Sequence, residues 1–441
     1  MGFGRRQHLI ALLAAGAIGC ALPFDTSLID AGSRDAGLDA APGADAATDG
    51  GVEPCDPRVE DLVDVGLEPT PPPLPAEGEL GTDVDFGSCH RTIFAGVDPS
   101  VHAAREPVDP LEERIMTWSN PYWYVHERAT GDSVRFLSSG RAFWDDDSRS
   151  FWQVNEDDEA LGFCRRPVVG LRLTCEQEWP LAALLPTLVG PSYALRDATP
   201  EREFFIVDDL GDDGSAVLDL RDTSAPPRVV AEHVGVQARF TPSGRYYYIL
   251  DGVEITFHAT EDGAEVRRHT FLLAPSGVYV TELPDEPTTF VVVHEEGDYL
   301  RYVRIGAESS GDELRDARVE VGERRIAPVI ADGGPDALGL FAVAFYSCQD
   351  SGVGCAAEVG RDLPRWSQLA LIDVRVEPPR VVPFAWHFIH HQGHPLNYTR
   401  LGVTAGLRSV WLNTDWRTGP DTPGNLMEFI VPPHLLEAPT P

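Results

Sequence analysis

From about Trp118 to Val431 the chain is a succession of short hydrophobic segments separated by turn residues. "FFIV" (204–207), "RYYYIL" (245–250), "FVVVHE" (290–295), "LFAVAF" (340–345), "LALIDV" (369–374) and "LMEFIV" (426–431) are rich in β-branched and aromatic residues. "DG", "SG", "GG" and "PP" fill the gaps. Segments of this length with this punctuation are strands joined by tight turns. Alternation within "VEITF" puts Val253, Ile255 and Phe257 on one face and Glu254 and Thr256 on the other. Only 110–118 and 180–188 fit helices, both short. The expected fold class is therefore all-β.

So many strands must dispose of their edges. Radial closure into a propeller leaves only short, protected ones, whereas a pair of sandwich domains is the other all-β solution. About 300 residues at ~40–50 per four-stranded blade correspond to roughly 6 or 7 blades. A weak internal echo supports repetition. "LSSGRAFW" (137–144), "TPSGRYYYIL" (241–250) and "APSGVYVTEL" (274–283) each place Ser-Gly before an aromatic-rich strand, and "TAGLRSVWLNTD" (404–415) is a looser copy. A glycine there can take positive φ at little cost.

These segments carry a family resemblance. "ARFTPSGRYYYILDG" resembles the "SPDG" blade signature of TolB-like β-propellers, with Ser243 in place of the usual aspartate. The stretch from "GHP" through "VWLNTDW" to "GNLMEFIV" resembles a further blade of that kind, without "PDG". The resemblance covers about a fifth of the chain and implies a β-propeller over residues 89–441.

The N-terminus reads as an address. Arg5 and Arg6 precede an 11-residue apolar run, Leu9 to Gly19, which is too short to span a bilayer and suits a signal segment. "AIGC" ends it and resembles a bacterial lipobox, with Ala17 where leucine is usual. That resemblance implies a signal peptide over 1–20, a lipid on Cys20 and anchoring to the cell envelope. Ala21 in place of an aspartate favours the outer membrane. Residues 25–54 are mostly Asp, Ala and Gly, and "EPTPPPLPAEGELG" (68–81) is proline-rich. Such composition cannot offset ordering entropy by burial, so 21–88 is expected to be a disordered acidic tether with a stiff end.

Seven cysteines agree with an oxidising compartment: without Cys20, six remain. They allow 15 pairings. Proximity suggests Cys164–Cys175 and Cys348–Cys355, leaving Cys55–Cys89. No CxxC pair supports a zinc ribbon or a thioredoxin-like site.

Charge narrows the partners. The 70 acidic residues against 35 basic ones give a net charge of -35, which repels nucleic acid and anionic membrane. The membrane is then reached only through the lipid. All basic residues are arginine, so lysine-dependent phosphate binding, Schiff-base chemistry and lysine general bases are excluded.

The densest cluster of chemically capable residues is "HFIHHQGHP" (387–395). Within propellers, "HHQGHP" resembles the metal-binding region of oligogalacturonate lyases. That resemblance implies that Gln392 and His394 hold a divalent metal, manganese or calcium, with His391 or His387 replacing the histidine lost at Leu396. His294 and His258 are further candidates. A lyase also needs a base and cations for a uronate; Arg245, Arg304 and Arg400 are candidate cations. Without a metal the cluster is a hydrogen-bonded blade edge. "DLGDDG" (209–214) superficially resembles a calcium loop but fails the EF-hand spacing. The expected function is non-catalytic binding or scaffolding at the envelope, toward an envelope protein or a carbohydrate. The alternative is a metal-dependent polysaccharide lyase. A sensor or adhesion module shares the fold.

Overall fold

The computed structural model describes residues 72–437, apart from loop segments of which the longest are 166–173, 307–316, 320–325, 348–367, 389–400 and 415–423. The described residues form seven antiparallel sheets. Blade 1 spans 102–137, blade 2 143–180, blade 3 193–233, blade 4 238–270, blade 5 278–319 and blade 6 326–386, each with four strands. Blade 7 joins both ends of the chain. Gly402–Val403, Ser409–Thr414 and Gly424–Ile430 pair in order, then Cys89–Val97 pairs with Gly424–Ile430, and Leu80–Thr82 adds at the edge. The fold is therefore a seven-bladed β-propeller, the upper of the two expected counts.

The seams between blades explain why the strands read as hydrophobic on both faces. In Phe204–Asp209 every residue is buried. Phe205 and Val207 pack toward blade 2, while Phe204 and Ile206 pack toward blade 4. Blade 6 repeats the division: Phe341, Val343 and Phe345 face blade 5, and Ala342 and Ala344 face blade 7. Period-two alternation here separates two apolar seams rather than core from solvent. The last seam closes the ring, with Ala103 and Ile115 of blade 1 against Trp411 and Leu426 of blade 7.

Residues within the segment assigned to the tether take part in this closure. Leu80–Thr82 is a strand, and Phe86 is buried with its ring 5.5 Å from that of Trp386. Asp83 is the joint. Its carboxylate accepts the amides of Asp85 and Phe86 and, from the adjoining blade 6, the amide of Trp386.

Two local expectations are corrected. Residues 110–118 are not helical: Arg114–Ser119 is the second strand of blade 1. The Asp109 carboxylate accepts the amides of Glu113 and Arg114, which fixes a tight turn into that strand and buries Ile115 and Met116. Within 180–188 a single helical turn forms, Leu181–Leu184. The Ser-Gly echo also divides into two structural positions. Gly140 and Gly277 precede the first strands of blades 2 and 5, whereas Gly244 and Gly406 sit in the first hairpins of blades 4 and 7. Gly140, Gly244 and Gly406 have positive φ.

Cys164 and Cys175 form a disulfide across the last two strands of blade 2. Cys89 is buried and disulfide-bonded to a cysteine outside the described residues. Cys20, Cys55, Cys348 and Cys355 also lie outside them.

Candidate functional site

The first strand of each blade faces the axis, so the side chains of these strands decide what the channel can do. They bound a cavity of about 710 Å³. Ala103 and Ala104 of blade 1, Ala194 of blade 3 and Val280 of blade 5 supply small or apolar wall. A second cavity of about 400 Å³ lies beside it, lined by the turns that follow the first strands, including Pro200, Pro242 and Gly334. Arg105, Asp197, Phe240 and Asp332 line both, so they form the partition between the two chambers.

That partition is held by charge. Arg105 donates to Asp197 at 2.5 Å with one guanidinium nitrogen and to Asp332 at 2.7 Å with the other. Burial opposes its charge, but Asp197, Asp332 and Glu106 together override it and hold the guanidinium above its usual range. Asp197 also accepts the amides of Ala198 and Phe240, so its buried carboxylate is fully committed.

Three further arginines enter the larger chamber. Arg196 lies 2.6 Å from Asp208 and donates to Gln237 at 2.6 Å. Asp208 also accepts from Ser215. Arg239 donates to the carbonyl of Ala238 and approaches Asp208 only to 4.0 Å. Arg141 differs from the others. Its amide donates to the carbonyl of Leu195 at 2.7 Å, and its carbonyl accepts from Ser138 at 3.3 Å. Its guanidinium makes no ion pair or hydrogen bond with any described residue, and Asp197 acts on it only at longer range. Burial, then the neighbouring Arg105, Arg239 and Arg196, bring its pKa down to about 9. Burial likewise pushes Tyr248, another wall residue, up to about 12, so its hydroxyl remains a donor.

Local sequence explains the placement of Arg141. Gly140 has φ +82°, and its backbone bridges to Leu195 of the next blade. A Cβ there would stand 2.2 Å from the carbonyl oxygen of Leu195. Only glycine permits this approach, and the approach places Arg141 on the axis.

The residues singled out in the sequence lie elsewhere. His391, Gln392 and His394 fall outside the described residues, as does Arg400. His387 is fully buried at the base of that segment, with Nε2 2.8 Å from the carbonyl of Phe345. Its own carbonyl accepts from Thr414. That is a core contact. His258 stacks on Tyr247 and contacts Gly263 and Thr256 through its two ring nitrogens. His294 is buried in blade 5. Among the described residues no group of three or more His, Cys, Asp or Glu is placed to hold a metal ion. Arg245 is exposed, and Arg304 pairs with Glu286 on an outer strand, so neither reaches the channel. The converging cations are Arg105, Arg141, Arg196 and Arg239, which sequence reasoning missed. The shared signal is position: Arg105, Arg196 and Arg239 lie within a blade's first strand, and Arg141 lies just before one. The calcium-like "DLGDDG" is a turn, in which Asp209 accepts the amides of Gly190 and Gly211.

Fold and cavity together define a seven-bladed propeller with an arginine-lined axial chamber. No family model matches the chain, and no curated protein matches its sequence. Solved structures are similar in fold. The Cps50 (Swd1) β-propeller domain of Myceliophteria thermophila is 10% identical over 78% of this chain and 98% of its own, with a TM-score of 0.43. The dihydro-heme d1 dehydrogenase NirN, in complex with DHE, is 11% identical over 74% of this chain and 70% of its own, with a TM-score of 0.41. Hydrazine synthase of Kuenenia stuttgartiensis is 16% identical over 62% and 75%, with a TM-score of 0.37.

Proposed function

We propose that this chain is an envelope lipoprotein, anchored through Cys20 to the outer membrane, whose propeller binds a ligand non-catalytically at the larger axial chamber. The ligand is an envelope protein segment or a carbohydrate. The observation that carries the binding reading is the chemistry of the chamber. Guanidinium groups donate but do not take up protons, Asp197 and Asp208 are committed to arginines and to Phe240, Ala198 and Ser215, and Tyr248 stays protonated. Such a wall suits ground-state recognition rather than proton transfer.

Expression of the full chain in a Gram-negative host with labelled palmitate tests the anchor. Label in the membrane fraction, lost in Cys20→Ser, supports it; unlabelled wild type refutes it. Binding is tested on panels of envelope glycans and purified envelope proteins. Leu210 is exposed at the chamber rim, so Leu210→Trp obstructs entry without disturbing the core. Binding that weakens in this variant supports the reading, and binding indifferent to it places the ligand elsewhere.

A second reading, a metal-dependent polysaccharide lyase, draws support from the same arginines, since a polyuronate needs converging cations. Elemental analysis of the full chain beside His394→Ala decides it. Stoichiometric manganese or calcium that disappears in the variant favours the lyase; metal-free protein after soaking removes it.

A further inference from the structure

The larger chamber contains an imbalance. Among the described residues its wall carries four arginines, at 105, 141, 196 and 239, against three aspartates, at 197, 208 and 332, a surplus of one positive charge. The surplus has an address. Arg105 is doubly paired, and Arg196 has Asp208 and Gln237, while the guanidinium of Arg141 has no partner among the described residues. The guanidinium of Arg141 is half-buried and stands among other guanidiniums, so an anion that joins it relieves like-charge repulsion at little desolvation cost. The backbone of Arg141 is nevertheless locked at its amide, its carbonyl and the preceding Gly140. A fixed backbone carrying an unsatisfied, rigidly forked donor is the arrangement of a preorganised anion site.

Other groups extend the donor set. Arg239 meets Asp208 only at 4.0 Å, and the hydroxyl of Tyr248 makes no hydrogen bond with a described residue. The rest of the wall is apolar, including Leu195, Val280 and Ile330. We infer that the chamber binds a small organic carboxylate, with Arg141 as the principal contact, Arg239 and Tyr248 as further donors, and the apolar wall receiving the body of the ligand. A single carboxylate cancels the surplus charge. A phosphate monoester, at about −1.5 to −2 at neutral pH, exceeds it. The chamber volume leaves room for a body well beyond the carboxylate itself.

This inference rests on the binding reading above and narrows its ligand. The test uses the full chain in detergent, at constant ionic strength set with chloride. Acetate, benzoate, citrate and inorganic phosphate are titrated by calorimetry and by thermal unfolding. At least one carboxylate is expected to bind and to raise the unfolding temperature. Arg141→Gln is expected to weaken that binding by at least about tenfold, while the ligand-free variant unfolds at the same temperature as wild type or higher. Arg245→Gln, at an exposed position, is expected to change neither. Tyr248→Phe supplies an isosteric second variant and should also weaken binding. Carboxylate affinity unaltered in both Arg141→Gln and Tyr248→Phe overturns the inference. So does phosphate binding without carboxylate binding, or wild type that binds none of the probes. In that last case, glycan or protein binding sensitive to Leu210→Trp leaves the broader reading standing, and its absence overturns both.

Discussion

Arg105 and Asp197 lie 2.5 Å apart although blade 2 intervenes between the blades that carry them. On its other side Arg105 reaches Asp332 of blade 6, past blade 7. One arginine thus spans the axis and ties three non-adjacent blades. Neighbouring blades already share apolar seams, so this contact adds a restraint that no seam supplies.

Arg105→Ala leaves the Asp197 carboxylate, 2% exposed, without its cation. Breaking a buried pair from one side costs about 3–5 kcal/mol. Urea unfolding of Arg105→Ala should show a loss of that size, with a smaller loss in Arg105→Met. Equal stability of Arg105→Ala and wild type would show that the partition contributes nothing to the ring.

Closure depends on Cys89–Val97 pairing with Gly424–Ile430. Thr92 sits inside this pairing opposite Met427, fully buried, with its hydroxyl donating to Pro75. The backbone of Thr92 turns toward Glu77, with its carbonyl accepting from Gly78, so Thr92→Pro removes the donor on that side, sets a ring in a buried strand and should destabilise the protein by about 3 kcal/mol or more. Limited proteolysis should then release the N-terminal strands ahead of the other blades. Thr92→Val, which keeps the backbone donor, should lose much less.

Gly140→Ala forces a side chain into a φ of +82° and into the carbonyl of Leu195. A loss of about 1–3 kcal/mol is expected in thermal or urea unfolding. Because the same contact seats Arg141, carboxylate affinity should fall with it. Gly252→Ala is the control. It has positive φ with open space around the added methyl, so it should show the backbone cost without the loss of affinity.

Burial, then the neighbouring His258, lowers the pKa of His233 to about 4. The unfolded chain therefore binds a proton near pH 6.5 that the folded chain refuses until about pH 4. Stability falls as pH drops through that window, by about 1–2 kcal/mol at pH 5 for this partly exposed group. Urea midpoints at pH 7.5 and pH 5 measure the slope. His90, which burial also lowers to about 4, contributes in the same window, so His233→Gln should reduce the slope and leave part of it, and an unchanged slope would assign the acid response to other groups.

Much of the fold was legible because a blade's strands advertise themselves locally. Phe204–Asp209 and Gln368–Asp373 are apolar on both faces since each face meets a different neighbour. The misreading at 110–118 had a local cause: the pattern of Leu111, Ile115 and Trp118 fits one helical face, while the hydrogen bonds from Asp109 and the pairing with Tyr122–Glu127 favour a strand. Net charge does not locate charge: the chain carries -35, yet the described residues of its axial chamber are net positive.

The sequence by itself determined the all-β class, the approximate number of blades and the local turns, because these follow from side-chain periodicity and from glycine's freedom. It did not determine which arginine meets the axis. "SSGR" and "PSGR" are nearly the same four residues, and both glycines take positive φ. Yet Arg141 enters the chamber and Arg245 points to solvent. The difference lies in where each turn falls in its blade. Gly140 docks on Leu195 of the next blade ahead of an axial strand, whereas Gly244 closes a hairpin against Thr199 and Pro200. Those contacts join residues some 45 to 55 positions apart and exist only once neighbouring blades have packed. The placement of charge on the axis is therefore a property of the closed ring, set by packing between blades that no local pattern encodes.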